Sequence, residues 1–322
     1  MNIRRLPSGN YQVRYQENGI KYAFTFDHKP TEREAMLRIK EQTPKKNSLT
    51  LKEACQKYIS DKSNILSAST IRGYNTHLRQ LSAEISQKSV LKISKRELQS
   101  EINAFAGNHS PKTTTNYGSF LCSVLAYYDV QIGKLTYPQK IKHEGYIPTE
   151  TDIKRILEAM RGHRSYVAVF LGCRGLRMSE IAALTLEDLT DDNYISINKA
   201  KVKADSGYVT KTTKTTSSTR KIYIPESVAD LVRKQGYFFN NYPLVMYKDL
   251  IEIQKQLNIP HFSFHQLRHF FASYSHYKGF ADKTIQDEGG WATDRTMKEI
   301  YRQSMNQKEY SKEIGNLLES LL

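Results

Sequence analysis

Four short segments in the second half of the chain carry side chains that could do chemistry on an anion. In the first, Leu171 to Ile181, an apolar run ends near Gly172, a turn through Gly175 follows, and Ser179 and Glu180 open the next helix. Arg177 at that junction can face a phosphate beside free helix N–H groups, or it can pair with Glu180 or Glu187 on the surface. The second segment, Lys211 to Arg220, reads as the polar tip and flank of a β-hairpin, from which Lys214 could reach into a cleft or simply stay solvated. The third, His265-Gln266-Leu267-Arg268-His269, sets His265, Arg268 and His269 at i, i+3 and i+4, so one helix face carries all three. Two histidines at this spacing could bind zinc, but a third ligand is missing nearby and the arginine would repel a cation, so an anion site is the better account. The fourth, Gly289 to Arg302, contains Trp291 and Tyr301, which could equally be a core tryptophan and one of 21 tyrosines.

The elements that must position these groups are legible in outline. Phe270, Phe271 and Tyr274 supply a buried face for the helix of His265. Tyr194 to Asn198 and Arg220 to Ile224 read as the strands of one short sheet in a half that is otherwise mostly helical. Upstream, Tyr11, Val13 and Tyr15 alternate with polar residues, Asn18-Gly19 makes a turn, and Lys21 to Phe26 alternates again. Asn2 to Leu6 can add a third strand, and Thr31 with Glu34 forms a capping box for a short helix. Arg4, Arg5, Arg14 and Lys21 lie on or near these strands. They suit a small DNA-reading module; a meander that only packs on the next domain is the alternative. Residues 49 to about 140 read as all-helical, with capping signals at Thr50, at Ser67 or Ser69, at Ser94 and at Ser110-Pro111. Lys45 to Ser48 and Tyr137 to Pro148 read as linkers.

The 322 residues hold 48 Lys plus Arg against 33 acidic groups, a net charge of +15, which favours a polyanionic partner, nucleic acid first. Hydrophobic content of 39% is enough for real cores. The longest apolar run, Tyr166 to Cys173, is far short of the roughly 20 residues that span a bilayer. The charged opening MNIRRLPSGNYQVRYQ does not read as a secretory signal. Cys55, Cys122 and Cys173 give neither a disulfide framework nor a zinc pattern, and fit reduced thiols in a cytoplasmic protein.

Taken together the four segments give Arg177, Lys214, His265-x-x-Arg268, Trp291 and Tyr301 in order, within G-L-R-x-S-E (175 to 180), K-T-x-S-S-x-R (214 to 220), H-x-L-R-H (265 to 269) and a Gly-Trp…Tyr segment (290 to 301). This resembles the tyrosine recombinase (phage integrase) family, strongly from about residue 145 to 310, and the opening resembles arm domains of integrases from phages and conjugative elements. Tryptophan stands at a position where the family often has histidine, and its distance from Tyr301 is about one residue longer than the common pattern, so Tyr310 remains the second candidate nucleophile.

The resemblance implies a multidomain fold. A small N-terminal β-sheet plus helix (1 to 46) is followed by an all-α SAM-like core-binding domain (49 to 140), then a mixed, mainly-α catalytic domain with a small antiparallel sheet and a C-terminal tail (145 to 322). It implies a metal-independent, cofactor-free enzyme with Arg177 and Arg268 as phosphate clamps, His265 as proton donor or acceptor, Lys214 as general acid, Trp291 at the phosphate and Tyr301 as nucleophile. Glu180 would orient Arg177, and His269 supports the site. The implied partners are double-stranded DNA at core and arm sequences, three further copies in a tetramer, and an excisionase and a host DNA-bending protein, in the bacterial cytoplasm on the nucleoid. The apolar stripe Ile314, Leu317, Leu318, Leu321 and Leu322 is expected to dock on protein, in cis or in trans. A type IB topoisomerase, a DNA-binding regulator without catalysis and a metal nuclease using His265 and His269 are the other readings.

Overall fold

The computed structural model describes residues 1–17, 20–42, 49–139, 145–212 and 219–301; the side chains of 17, 20, 21, 39–42, 296 and 299–301 are outside the description. By its contacts the chain forms two compact units, Met1–Lys62 with Thr76–Gln139, and Ser63–Asn75 with Lys140–Leu322.

The first unit opens with an antiparallel sheet of β1 (Asn2–Arg5), β2 (Tyr11–Glu17) and β3 (Ile20–Phe26), in the order β1-β2-β3. Period-two alternation divides it into faces. Val13, Phe24 and Phe26 bury one face with Ala35 of α1 (Glu32–Gln42), while Arg4 and Arg14 occupy the other. The helices that follow are α2 (Leu51–Asp61), α3 (Ala68–Arg79), whose residues up to Asn75 are assigned to the second unit, α4 (Ala83–Ser86), α5 (Lys95–Ala106) and α6 (Pro111–Tyr127). The starts of α2, α3, α5 and α6 are the ones the capping residues predict, whereas α4, capped by Ser82, was not read from the sequence. Thr50 with Glu53 and Ser94 with Glu97 form complete capping boxes, Ser67 accepts from the Thr70 amide at 3.2 Å, and Ser110 precedes Pro111. Leu51, Leu98, Ile102, Tyr117 and Leu121 are fully buried in this unit.

The second unit contains α7 (Glu150–Ala159), α8 (Tyr166–Cys173), α9 (Met178–Ile181), β4 (Tyr194–Ile197), β5 (Lys199–Ala204), β6 (Gly207–Thr212), β7 (Arg220–Tyr223), α10 (Glu226–Gln235), α11 (Pro243–Gln256), α12 (Phe264–Tyr277), α13 (Asp282–Gly289) and α14 (Asp294–Tyr301). Helix α8 has no charged residue and is buried at its centre, as an apolar-all-round helix must be. It packs on α12 so closely that a Cβ at Gly172 would lie 2.8 Å from Leu267.

One expectation is corrected. The half reads in sequence as having one short sheet, but the structure has two ladders, β4 with β7 and β5 with β6. The second was missed because β5 alternates on Lys and Ala, residue types that disfavour strands, and β6 breaks the alternation at Tyr208-Val209. No described helix is long and apolar enough to cross a membrane.

Candidate active site

The end of α8, the start of α9, the first turns of α12 and the α13–α14 turn converge around three arginines and one carboxylate. Gly175, at φ +87°, reverses the chain after α8 and leaves Arg177 just ahead of α9. A Cβ there would lie 2.7 Å from Phe271, so glycine suits both the backbone and the packing. Glu180, only 2% exposed, accepts the Arg177 amide at 2.8 Å and its Nη1 at 2.6 Å. The expected pairing of Arg177 with Glu180 is therefore present, but it is anchored in the interior rather than lying on the surface. Arg177 Nη2 also donates to the Gly290 carbonyl at 3.3 Å.

On α12, His265 is exposed and Arg268 is 1% exposed. Arg268 Nη1 donates to the carbonyls of Gly175 and Gly289, and Nη2 has no hydrogen-bond partner among the described residues. The Arg268 guanidinium carbon lies 3.7 Å from the centroid of the Trp291 ring, which in turn stacks near-parallel on Phe271 at 6.3 Å. Trp291 is thus both the core residue its type suggests and the platform under a buried cation. Burial and the nearby Arg177 lower the Arg268 pKa to about 9.

His265 and Arg177 line one open cavity of about 520 Å³, together with Leu176, Met178, Ser179, Tyr247, Ser263 and Phe264. Desolvation, then the charges of Arg268 and Arg177, hold the His265 pKa below its ordinary value. His269, at 4.9 Å ring-to-ring from His265, is lowered to about 4 by desolvation, His265 and Arg268. Both shifts favour the neutral imidazole. No group of three or more His, Cys, Asp or Glu side chains suited to a metal occurs among the described residues.

Helix α14 packs on α12 and α13 through buried Met297, and its last described residue is Tyr301, one turn further on. The Tyr301 side chain, Lys214, Tyr310 and the apolar stripe from Ile314 to Leu322 lie outside the described residues.

Sequence reasoning missed Arg220. At the start of β7 its side chain is 6% exposed, and it meets Glu180 through Nη2 at 3.0 Å and the Glu288 carbonyl through Nε at 2.7 Å. Its presence in the K-T-x-S-S-x-R motif was the available signal. Burial pushes the Glu180 carboxyl up, but Arg220 and Arg177 outweigh it and leave the pKa below the ordinary value.

In the first unit, Arg4 and Arg14 each donate Nε to the Gln12 side-chain oxygen at 3.0 Å, so the two guanidiniums share one sheet face. Arg5 pairs in register with Tyr11, alternates to the opposite face and sits 5.9 Å from the Tyr11 ring. Lys21 is paired with Gln16 along the backbone, and its side chain is outside the description.

The phage integrase family model matches residues 148–308. Among solved structures, the Tn1549 transposon integrase in complex with transposon right end DNA is 19% identical, over 84% of this chain and 99% of that one, with a TM-score of 0.65. A lambda integrase dimer bound to a COC′ core site is 15% identical over 95% and 96% of the two chains, with a TM-score of 0.63. A lambda integrase tetramer bound to a Holliday junction is 14% identical over 93% and 94%, with a TM-score of 0.58. At these identities the likeness establishes the fold, that of the tyrosine recombinases. No curated protein matches the chain. The family match covers half of the chain and every segment from α7 through the expected nucleophile, and so the chain belongs to the phage integrase family, the tyrosine-type site-specific recombinases.

Proposed function

We propose that this chain cuts and rejoins double-stranded DNA at specific sites through a 3′-phosphotyrosyl link on Tyr301, without metal or ATP, in the integration and excision of a mobile element or prophage. The observation that carries the reading is the shared cavity of Arg177 and His265, one helical turn from a buried Arg268 whose guanidinium is fixed by two carbonyls and the Trp291 ring.

Attack on a phosphodiester places added negative charge on the non-bridging oxygens. Guanidiniums answer that charge well because they are planar, permanently charged and bidentate. Preorganised donors of this kind contribute about 3–4 kcal/mol each to the transition state. Arg177 and Arg268 fill this role. Tyr301 must lose a proton from a phenol of pKa about 10, and neighbouring positive charge lowers the cost. A neutral His265 can accept that proton. As the Tyr301 oxygen bonds to phosphorus, the bond to the 5′-oxygen breaks, and Lys214 supplies the proton that the departing oxygen needs. The phosphotyrosyl ester retains the bond energy, so a 5′-hydroxyl can reverse the step. Glu180 orients Arg177, and His269 supports His265.

The arm module at residues 1 to 46 reads DNA through the face bearing Arg4 and Arg14, the helices of 49 to 140 clamp the core site, and 145 to 322 carries the chemistry. Four copies hold two duplexes, with an excisionase and a host DNA-bending protein setting direction, on the bacterial nucleoid in the cytoplasm. The tetramer reading is supported by the fold shared with the lambda integrase tetramer on a Holliday junction.

The deciding experiment offers attachment-site duplexes nicked beside the cleavage position, with EDTA present. The wild type is expected to accumulate a covalent adduct through Tyr301, and Tyr301→Phe none. An adduct in the Phe variant moves the nucleophile elsewhere, Tyr310 first. Absence of any adduct from the wild type overturns the proposal.

A further inference from the structure

We infer that Arg220 is a positioning residue for strand cleavage: by sharing the buried Glu180 carboxylate with Arg177, it keeps that carboxylate charged and aimed, and thereby holds Arg177 over the cavity. The inference rests on the recombinase reading above and adds a residue to its machinery.

Three observations support it. First, the geometry divides one carboxylate between two guanidiniums. Glu180 gives Oε1 to Arg177 Nη1 at 2.6 Å and Oε2 to Arg220 Nη2 at 3.0 Å. A carboxylate engaged on both oxygens cannot rotate, so the Arg177 partner is fixed in direction as well as distance. Second, the two arginines differ in access. The Arg177 side chain is 36% exposed and lines the cavity, whereas that of Arg220 is 6% exposed and does not. Third, Arg220 ties together the elements that carry the site. Its Nε holds the Glu288 carbonyl at 2.7 Å, at the end of α13, and a Cβ at Gly290 would lie 2.8 Å from Arg220 Nη1. The Gly290 carbonyl in turn receives Arg177 Nη2. One buried side chain therefore braces both the carboxylate and the turn that hold Arg177.

Charge gives the arrangement its purpose. A lone carboxylate beside Arg177 would neutralise the cation meant for the phosphate. With a second guanidinium on the same carboxylate, the trio keeps a net charge of about +1 next to the cavity. Without Arg220 the buried Glu180 loses its strongest electrostatic support, and burial, which already opposes its ionisation, then raises its pKa.

The test uses full-length Arg220→Gln, Arg220→Lys, Glu180→Gln and the double variant Glu180→Gln/Arg220→Gln on nicked attachment-site duplexes. Adduct rate is followed across pH, with site affinity and thermal melting measured in parallel. For Arg220→Gln, site affinity should stay within about threefold while the adduct rate falls about 100-fold, the scale of a misplaced catalytic group. Its rate should also gain an acid limb beyond the one that protonation of His265 gives the wild type, as Glu180 becomes protonated. The Glu180→Gln background should remove that limb, and the two substitutions should combine to much less than the product of their separate effects. Arg220→Lys, which keeps the charge but not both contacts, should recover most of the pH behaviour and only part of the rate; it carries the test if Arg220→Gln does not fold. A wild-type pH profile in Arg220→Gln, or independent effects in the double variant, overturns this inference alone. Failure of the wild type to form any adduct overturns the recombinase reading with it.

Discussion

Arg268 is a cation buried one helical turn from His265. By spacing it shares a face with His265 and His269; in the fold it is buried, held by two backbone carbonyls and laid over Trp291. A desolvated cation over an indole gains about 2 kcal/mol, and removing the ring would also open a core cavity costing about 3–5 kcal/mol. Trp291→Phe, which keeps an aromatic face but has no N–H, is expected to form adduct within about tenfold of the wild type, and Trp291→Ala to lose more than about 100-fold and melt several degrees lower. Equal defects in the two variants would assign the role to the indole N–H instead. His269 allows a second prediction, on stability. Its folded pKa is about 4 against an ordinary 6.5, so between these values the unfolded chain binds a proton that the fold refuses. Stability therefore falls as pH drops through that window and is indifferent to this group above it. His269→Gln should flatten the acid-side decline in melting temperature by a few degrees and leave the value at pH 8 nearly unchanged, as differential scanning would show.

At the scale of elements, the turns do the positioning. Gly289 ends α13 with the Trp291 ring folded back against it, so an added Cβ would clash with Cζ3 of that ring. The ring cannot move without disturbing Arg268 and Phe271. Gly289→Ala is expected to destabilise by about 1–3 kcal/mol, an overpacking cost, and to depress adduct formation more than Trp291→Phe does. Chemical denaturation and the nicked-duplex assay measure the two effects. Helix starts, by contrast, could be read residue by residue, because a cap is a local contact between a hydroxyl or carboxylate and amides three residues away. Thr31, Thr50, Ser94 and Ser110 are all legible for that reason, whereas the β5–β6 ladder is not, since its Lys, Ala and Gly residues disfavour strands and β6 does not keep the period of two.

At the scale of the whole molecule, part of the basic excess lies on one face of the N-terminal sheet. The proposed arm face carries Arg4 and Arg14, bridged by Gln12, while Arg5 alternates to the other side. Each phosphate contact contributes about 0.9 to the slope of log affinity against log salt. Arg4→Gln/Arg14→Gln should therefore reduce the slope for arm-site binding by about 2, and Arg5→Gln should leave it near the wild-type value, as titrations at several salt concentrations would reveal. A slope changed as much by Arg5 as by the pair would mean that the sheet does not present a single face.

The sequence by itself determined the order of the reactive side chains, the helix caps, the alternation of the N-terminal strands and the basic balance, because each is a matter of residue type at short spacing. Only the tertiary structure decided that Glu180 is interior, that Arg268 rests on Trp291 and that Arg220 joins them. Those facts depend on contacts across 21 to 113 residues of chain, between side chains and carbonyls that no local period brings together. A buried ion cluster is selected by what surrounds it, and its surroundings exist only once α8, α12 and the α13–α14 turn have packed.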